Sequence, residues 1–570
     1  MSRIRNILFI MADQLRADHL GCYGHPYIRT PNIDALAARG VRFDRAFVNS
    51  GVCGPSRMSY YTGRYPSTHG ATWNRVPLSI GEVTMGEYLR EQGRRLVLAG
   101  KTHIMPDHAG LQRLAIDGGS ELGRLLHSGG FEEIDRYDGH HEPGEESGYP
   151  AYLRRNGYVS DDPWTDFVIS ARDERGQAVS GWHMRNARYP ALVDEPHSET
   201  AYMTDQALAF MRKKGDESWV LHLSYVKPHW PYIAPAPYHN MYGMDQCLPV
   251  VRNEAEKRDA HPVVAAYRQQ EESQSFAMDE CVRTVRPAYQ GLITQLDDHL
   301  GRLFEYMEDA GLMRDTLIVL TADHGDFLGD HWLGEKELFY ETIQRVPFIL
   351  VDPSPEADAT RGRAEARMVE SVDVLPTFLD ALDLPRASHR LEGHSLLPLL
   401  RGEPGEPSGS SDGSSGGAQG RSAELPSGTS GGASASDPAR ELPRDAMGES
   451  LGESGTWRDC VFSELDYSYR LARLLMHKTP QTARAWSVRT ERWRYVYWMG
   501  EPEQLYDLQA DPDQFQDLGR EATHAAVRAE LRARLFDWFT RLKRRTTVTD
   551  AAIEKGTNAH KKAGVFFGQW

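Results

Sequence analysis

Five short clusters hold side chains that could bind a metal ion, attack as a nucleophile and move protons. A thiol and a guanidinium stand four residues apart in Val52-Cys53-Gly54-Pro55-Ser56-Arg57, and Thr62-Gly63 follows shortly after. Asp13-Gln14 directly follows the apolar run Asn6 to Met11, and Thr321-Ala322-Asp323-His324-Gly325-Asp326 closes the run Thr316 to Thr321. An Asp offers a hard oxygen to a divalent cation, a Gln amide adds a neutral oxygen, and a His brings a borderline nitrogen. Gly100-Lys101-Thr102-His103 and Val226-Lys227-Pro228-His229-Trp230-Pro231-Tyr232 add cations and imidazoles, each just past another apolar run. Lys336, within Gly334-Glu335-Lys336-Glu337, is a further candidate, although a lysine in so charged a run ordinarily faces solvent.

These clusters need elements that bring them to one place. The runs Asn6 to Met11, Arg95 to Ala99, Trp219 to Tyr225, Thr316 to Thr321 and Val346 to Val351 alternate with helical patterns up to about residue 400. Near-continuous apolar strands between helices predict a sheet buried on both faces, and ligand groups gather at the strand C-termini of such a sheet. Thr30-Pro31-Asn32 opens a helix over 33–39, with Pro where a first-turn N–H is not needed. Leu292, Leu296, Leu300 and Leu303 form one stripe of a helix expected over 289–309. Residues 1–401 thus form a catalytic α/β domain. From 402 to 456 Gly, Ser and Pro dominate, and such a composition buries too little apolar surface to offset its ordering entropy, so a flexible insertion or linker is expected. A smaller unit over 457–545 follows, with strands at 484–489 and 492–498 around Thr490-Glu491. Its helix over 522–542 turns Val527, Leu531, Leu535 and Trp538 inward. The tail 546–570 ends in Val565-Phe566-Phe567-Gly568-Gln569-Trp570, an apolar terminus suited to docking on the core or on a neighbouring subunit.

Read as C-x-P-S-R-x4-T-G, the Cys53 stretch resembles the sulfatase signature, in which a modifying enzyme oxidises the Cys to formylglycine. The resemblance implies a hydrated aldehyde: one hydroxyl attacks a sulfate or phosphate ester, and the other then loses its proton and expels the oxyanion. Pro55, Ser56 and Arg57 would be read by the formylglycine-generating enzyme, and Arg57 would also steady the gem-diol. Asp323-His324 is similar to the second metal-binding motif of the alkaline phosphatase superfamily. Asp13, Gln14, Asp323, His324 and the Cys53 position would therefore surround one divalent ion: Mn²⁺, Ca²⁺, Zn²⁺ or Fe²⁺, with His324 shifting the balance away from Ca²⁺. On the same resemblance Lys101 holds an ester oxygen, His103 accepts the proton that triggers release, His229 protonates the leaving oxygen, and Lys336 neutralises developing charge. The resemblance spans nearly the whole chain apart from the low-complexity stretch. It implies the alkaline phosphatase-like fold, a large mixed, mostly parallel sheet flanked by helices, with a small C-terminal antiparallel α+β subdomain.

Within that superfamily, typical sulfatases carry Asp-Asp and Asp-Asn where this chain has Asp13-Gln14 and Asp323-His324. The pair resembles phosphonate monoester hydrolases and related phosphodiesterases, which also hydrolyse sulfate esters. Fewer anionic ligands leave the metal more net positive charge for a phosphoryl group. Asn74 matches a substrate-contacting Asn of those enzymes. Lys101-x-His103 is sulfatase-like, and choline sulfatases share all three features, so a dedicated arylsulfatase or choline sulfatase is the alternative. A choline substrate would need an aromatic cage, for which Trp164, Trp182 and Trp230 are available. A catalytically inactive binding module would have lost site residues, and none is missing. Mutases of the superfamily use Ser or Thr and bind two metals, which Cys53 disfavours.

The formal net charge of −16 over 570 residues argues against a nucleic-acid partner, so local cations and metal must attract a small anionic ester. Five scattered Cys without a C-x-x-C fit a reducing compartment. The opening apolar run is too short for a signal-peptide core and no stretch approaches a membrane span, so a cytoplasmic protein without membrane contact is expected. A homo-oligomer, dimer or tetramer, is expected as well.

Overall fold

The first apolar run becomes strand β1 (Asn6–Asp13), and all eight of its residues are buried. Both faces must therefore be covered, which is the arrangement of a parallel sheet between helices. In the computed structural model, residues 4–139, 147–402 and 457–557 are described, together with positions 559, 562 and 564. The remaining main-sheet strands are β2 (Val41–Phe43), β3 (Leu96–Gly100), β4 (Glu132–Arg136), β5 (Val220–Pro228), β6 (Thr316–Ala322), β7 (Phe348–Val351) and β8 (Arg363–Glu365). Their order is β8-β2-β7-β6-β1-β5-β3-β4, and only β7 runs against its neighbours. β1 lies between β6 and β5, with Ile7 beside both Leu317 and Val220. Its register against β5 slips after Ala12, bringing Asp13 opposite Pro228. Such an irregularity re-aims a side chain at a strand end.

Two expectations change. The run Val346 to Val351 divides at Pro347, which has no N–H for a ladder. Arg345–Val346 pairs with Ala46–Phe47 in a separate three-stranded sheet, and only Phe348–Val351 joins the main one. The helix expected to begin at Tyr289 begins ten residues earlier. Helix α4 spans Asp279–Asp309 and contains Pro287, the residue that masked its first turns. The other helices that matter here are α1 (Pro31–Arg39, with Pro in its first turn), α2 (Cys53–Thr62) and α3 (Glu199–Lys214). Every residue of α2 is buried. It ends at Gly63, left-handed at φ 63°, whose N–H donates to the Ser59 carbonyl. A Cβ there would also meet Leu391 at 3.0 Å, so the Thr-Gly that closes the cysteine motif is a helix stop in a tight place.

After the low-complexity stretch, β9 (Cys460–Asp466), β10 (Arg484–Thr490), β11 (Trp493–Trp498) and β12 (Gln504–Asp507) form an antiparallel sheet in chain order. Helix α5 (Ala525–Arg541) buries Leu531, Leu535 and Trp538 against it, with Val527 at the margin. Each such side chain contributes roughly 1.5–3 kcal/mol by leaving water. Trp538 stacks on Phe462 at 4.6 Å and meets Tyr65 edge-on at 5.0 Å, so this core reaches into the first part of the chain. Residues up to 402 and from 459 onward pack as one compact unit. The stretch 403–456 and the terminal run 565–570 lie outside the described residues. Among the described residues, no helix is long and apolar enough to cross a membrane.

Candidate active site

Three strand ends and one helix start converge. Asp13 ends β1, Lys101 follows β3, Asp323 follows β6, and Cys53 is the first residue of α2. Helix α2 is sutured to the end of β6 by its own side chains: Ser56 Oγ donates to the Asp323 carbonyl at 2.6 Å, and the Tyr60 hydroxyl to the Ala322 carbonyl at 3.1 Å. Gly100 permits the approach on the other side. Its φ is +111°, and a Cβ would stand 1.9 Å from the Ser224 carbonyl, the same carbonyl that accepts the Lys101 N–H.

Ligand atoms of Asp13, Cys53, Asp323 and His324 lie within 4.8 Å of one another, all buried. Cys53 Sγ is 3.1 Å from His324 Nε2 and 3.9 Å from Asp13 Oδ1. His324 Nδ1 donates to the Gly325 carbonyl at 2.8 Å, which leaves Nε2 as the ring nitrogen facing the cluster, the one a metal ion would take in place of a proton. Burial opposes a charged imidazole, yet Asp323 and the Cys53 sulfur carry the His324 pKa up to about 9. The surroundings thus call for positive charge at this point. Two carboxylates, an aligned imidazole and a sulfur position form a donor set that fits one divalent ion.

Gln14 lies at φ 66°, with its N–H on Asp323 Oδ1 at 3.0 Å. Its Nε2 donates to Asp326 at 2.5 Å and contacts the Tyr232 hydroxyl at 3.3 Å, which turns Oε1 toward Lys336 Nζ at 3.5 Å. Asp326 also accepts from the Tyr232 hydroxyl at 2.7 Å, and burial lifts its pKa to about 6. Tyr289 donates to the Gln14 carbonyl at 2.7 Å. Asp326 and Tyr232 stood inside the sequence clusters, but nothing in residue type or spacing marks them as the groups that aim Gln14.

Arg57 is tied to the carboxylates of the cluster. Its fork donates to Asp323 Oδ2 at 2.8 Å, Asp13 Oδ2 at 3.2 Å, Ser224 Oγ at 2.8 Å and the Lys101 carbonyl at 3.0 Å. It clamps the two carboxylates from behind, and the Cys53 sulfur lies within its electrostatic reach. Lys101 Nζ pairs with Asp13 Oδ2 at 2.5 Å. Burial alone would raise the Asp13 pKa, but Lys101, His229, Arg57 and His324 together hold it well below the ordinary carboxylate range. Asn74 is likewise engaged on the protein: its Oδ1 accepts the Gly54 N–H at 2.7 Å, satisfying a donor at the start of α2. Thr102 and His103 donate their N–H groups to Asp138 at 3.1 Å each, and His103 has φ 58°.

The far wall comes from loops. His229 Nδ1 donates to the Trp230 carbonyl at 2.7 Å, and Nε2 stands 3.0 Å from Lys336 Nζ. Lys336 is 5% exposed, so it is no surface lysine. Its segment is irregular, with Leu328, His331, Trp332, Glu335, Glu337 and Leu338 all at positive φ. Backbone strain of this kind, about 1–3 kcal/mol per residue, persists only where the surroundings over-determine it. Trp164, Trp182 and Trp230 converge in a chain of ring contacts at 6.0 and 5.3 Å. Trp182 and Trp230 line a cavity of about 790 Å³ with Tyr232, Phe276, Glu272 and Glu335.

Comparison with known proteins agrees with this geometry. The family model described as Sulfatase matches residues 5–384. The chain is 29% identical over 565 residues to the multifunctional alkaline phosphatase superfamily protein PehA of Trinickia caryophylli, covering 94% of this chain and 95% of that protein. It is 26% identical to the choline-sulfatase of Rhizobium meliloti, over 93% of this chain and 85% of that one. The phosphonate monoester hydrolase SpPMH from Silicibacter pomeroyi superposes with a TM-score of 0.76 at 27% identity, covering 96% of this chain and 98% of its own. The mixed sheet, the strand-end carboxylates and these likenesses agree: the chain belongs to the sulfatase family, and it is a hydrolase of ester bonds.

Proposed function

We propose that the protein hydrolyses phosphonate monoesters, phosphodiesters and sulfate esters with a formylglycine formed from Cys53 and one divalent metal ion. The observation that carries this reading is the charge balance around the sulfur. Asp13 and Asp323 face three buried cations, Arg57, Lys101 and Lys336, and the remaining ligands, Gln14 and His324, are neutral when metal-bound. A centre so poor in negative charge suits a phosphoryl group, and the likeness to SpPMH supports the same choice.

Asp13, Gln14, Asp323 and His324 would hold the ion, which supplies nucleophile activation and polarises the ester oxygens. Converted to formylglycine, position 53 supplies one hydroxyl for attack and a second to drive release. Arg57 keeps both carboxylates ionised and aimed. Lys101 and Lys336 stabilise the charge that develops on the transferred group. His229 has Nδ1 tied to a carbonyl, so in the protonated imidazolium Nε2 is the atom that hands a proton to the departing oxygen, beside the Lys336 ammonium. His103 starts release by taking the proton of the second hydroxyl, and Asn74 keeps Nδ2 for substrate while Oδ1 caps α2. The reading also calls for a formylglycine-generating enzyme in the same compartment, which we take to be the cytoplasm, and for a homo-oligomer.

A second reading, a dedicated choline sulfatase, is favoured by the convergence of Trp164, Trp182 and Trp230 beside Glu335. One experiment separates the two: kcat/KM for a phenyl phosphonate, a phosphodiester, an aryl sulfate and choline sulfate on one metal-loaded preparation. The phosphonate and diester are expected to lead. Choline sulfate leading the other three would replace the first reading by the second.

A further inference from the structure

Lys336 is held by a residue from the far side of the low-complexity stretch. Arg470 follows β9, at the start of the short helix Leu471–Leu475, and reaches the strained segment that carries Lys336. Its Nε lies 3.2 Å from Glu337 and its Nη2 3.5 Å from Glu335, and Nη2 also pairs with Glu272. Its guanidinium sits 6.0 Å from the Tyr267 ring. Lys336 is therefore flanked in sequence by two carboxylates that both turn to one arginine.

The contacts of those carboxylates show what is at stake. Glu335 Oε1 accepts from Trp230 Nε1 at 3.1 Å and lies 3.3 Å from Lys336 Nζ. The Glu337 N–H donates to the Gly51 carbonyl at 3.1 Å, two residues before Cys53. Glu335 thus divides its charge between two cations, Lys336 at 3.3 Å and Arg470 at 3.5 Å. While Arg470 shares it, the Lys336 ammonium keeps its contacts with His229 Nε2 and Gln14 Oε1. Remove Arg470, and three buried or half-buried carboxylates lose their common partner. The nearest remaining cation is the one the ester needs.

We infer that Arg470 is a positioning residue: by engaging Glu335, Glu337 and Glu272 it limits the hold that Glu335 already has on Lys336, so the C-terminal subdomain completes the active site. This rests on the role proposed for Lys336 at the ester. Groups that orient an active residue from behind typically matter by about 10- to 100-fold.

The test uses full-length, metal-loaded enzyme with two readouts: kcat/KM on the ester the wild type hydrolyses fastest, and calorimetric titration of inorganic phosphate. Arg470→Ala should lower kcat/KM by about 10- to 100-fold and weaken phosphate binding. Adding Glu335→Gln should recover most of both losses. It removes the capturing charge while its amide oxygen still accepts from Trp230, so the two substitutions are strongly non-additive. A residue that merely stabilised the subdomain would show no such rescue. If Arg470→Ala does not fold, Arg470→Lys keeps a cation without the fork, and the same rescue is read in that background. Arg470→Ala within about twofold of wild type in both readouts, or a double variant no better than the single one, overturns the inference. A wild type inactive on all four esters would strike the functional reading alone, because phosphate titration still orders the variants.

Discussion

The active site has two halves built on different principles. The half around Cys53 stands on regular elements: Asp13, Lys101 and Asp323 leave the ends of adjacent or near-adjacent strands, and Cys53 begins a wholly buried helix. Arg57 and Lys101 lock its carboxylates at 2.5–3.2 Å. In the opposite half His229 directly follows β5, while Lys336 stands on a loop rich in positive φ that Arg470 engages from the C-terminal subdomain. The first half is set mainly by the sheet. The second is set by long-range ion pairs over strained backbone. In the proposed reaction the nucleophile and the ligands for an ion lie on the half built from strand ends. Chemistry that must suit the leaving group lies on the half that loop changes can retune.

Breaking the rigid half should do the most damage. Asp13→Asn removes a ligand and leaves Arg57 and Lys101 short of a buried partner. Uncompensated buried charge costs about 3–5 kcal/mol. Elemental analysis should find the metal lost and calorimetry a lower Tm, with activity abolished. A variant that kept metal and Tm would show the two halves to be less different than described. Lys336→Ala strikes the other half. It should cost about 10²–10³-fold in kcat, more for poor leaving groups, while metal content and Tm stay near wild type. A loss independent of leaving-group pKa would remove Lys336 from that step.

The sequence told these halves apart unevenly, for physical reasons. Strand-end carboxylates follow apolar runs whose period is plain, so Asp13, Asp323 and the Cys53 helix were legible. Lys336 came only from the family resemblance, because a lysine among glutamates reads as solvated until the loop is seen to fold under Trp230. Arg57 and Asn74 were found as positions, but their partners, two carboxylates and the Gly54 N–H, come from strands and turns distant in sequence. Asp326, Tyr232 and Arg470 act through other side chains and leave no mark in spacing. In the fold, prolines misled twice: Pro347 divides one apolar run between two sheets, and Pro287 sits inside a helix it was expected to precede.

A smaller effect probes how the C-terminal sheet meets the rest. Glu464 on β9 accepts from the Ser67 N–H at 2.9 Å and Trp486 Nε1 at 3.0 Å, and burial raises its pKa to about 7. The folded protein therefore keeps a proton that the unfolded chain releases near its ordinary value of 4.5. The unfolded state then binds fewer protons at this group, so the contribution of Glu464 to stability is greatest below about pH 4.5 and falls as pH rises toward about 7, by at most about 3 kcal/mol. Glu464→Gln should flatten that part of the stability–pH curve in denaturant titrations. An unchanged slope would assign the dependence to other groups.

The central claim is that position 53 works as an aldehyde rather than a thiol. Peptide mass spectrometry of the Cys53 tryptic fragment, across preparations of differing activity, tests it most directly. The account predicts that specific activity rises in proportion to the fraction of position 53 present as formylglycine and extrapolates to zero at none. Full activity in a preparation whose Cys53 is entirely unmodified would contradict it.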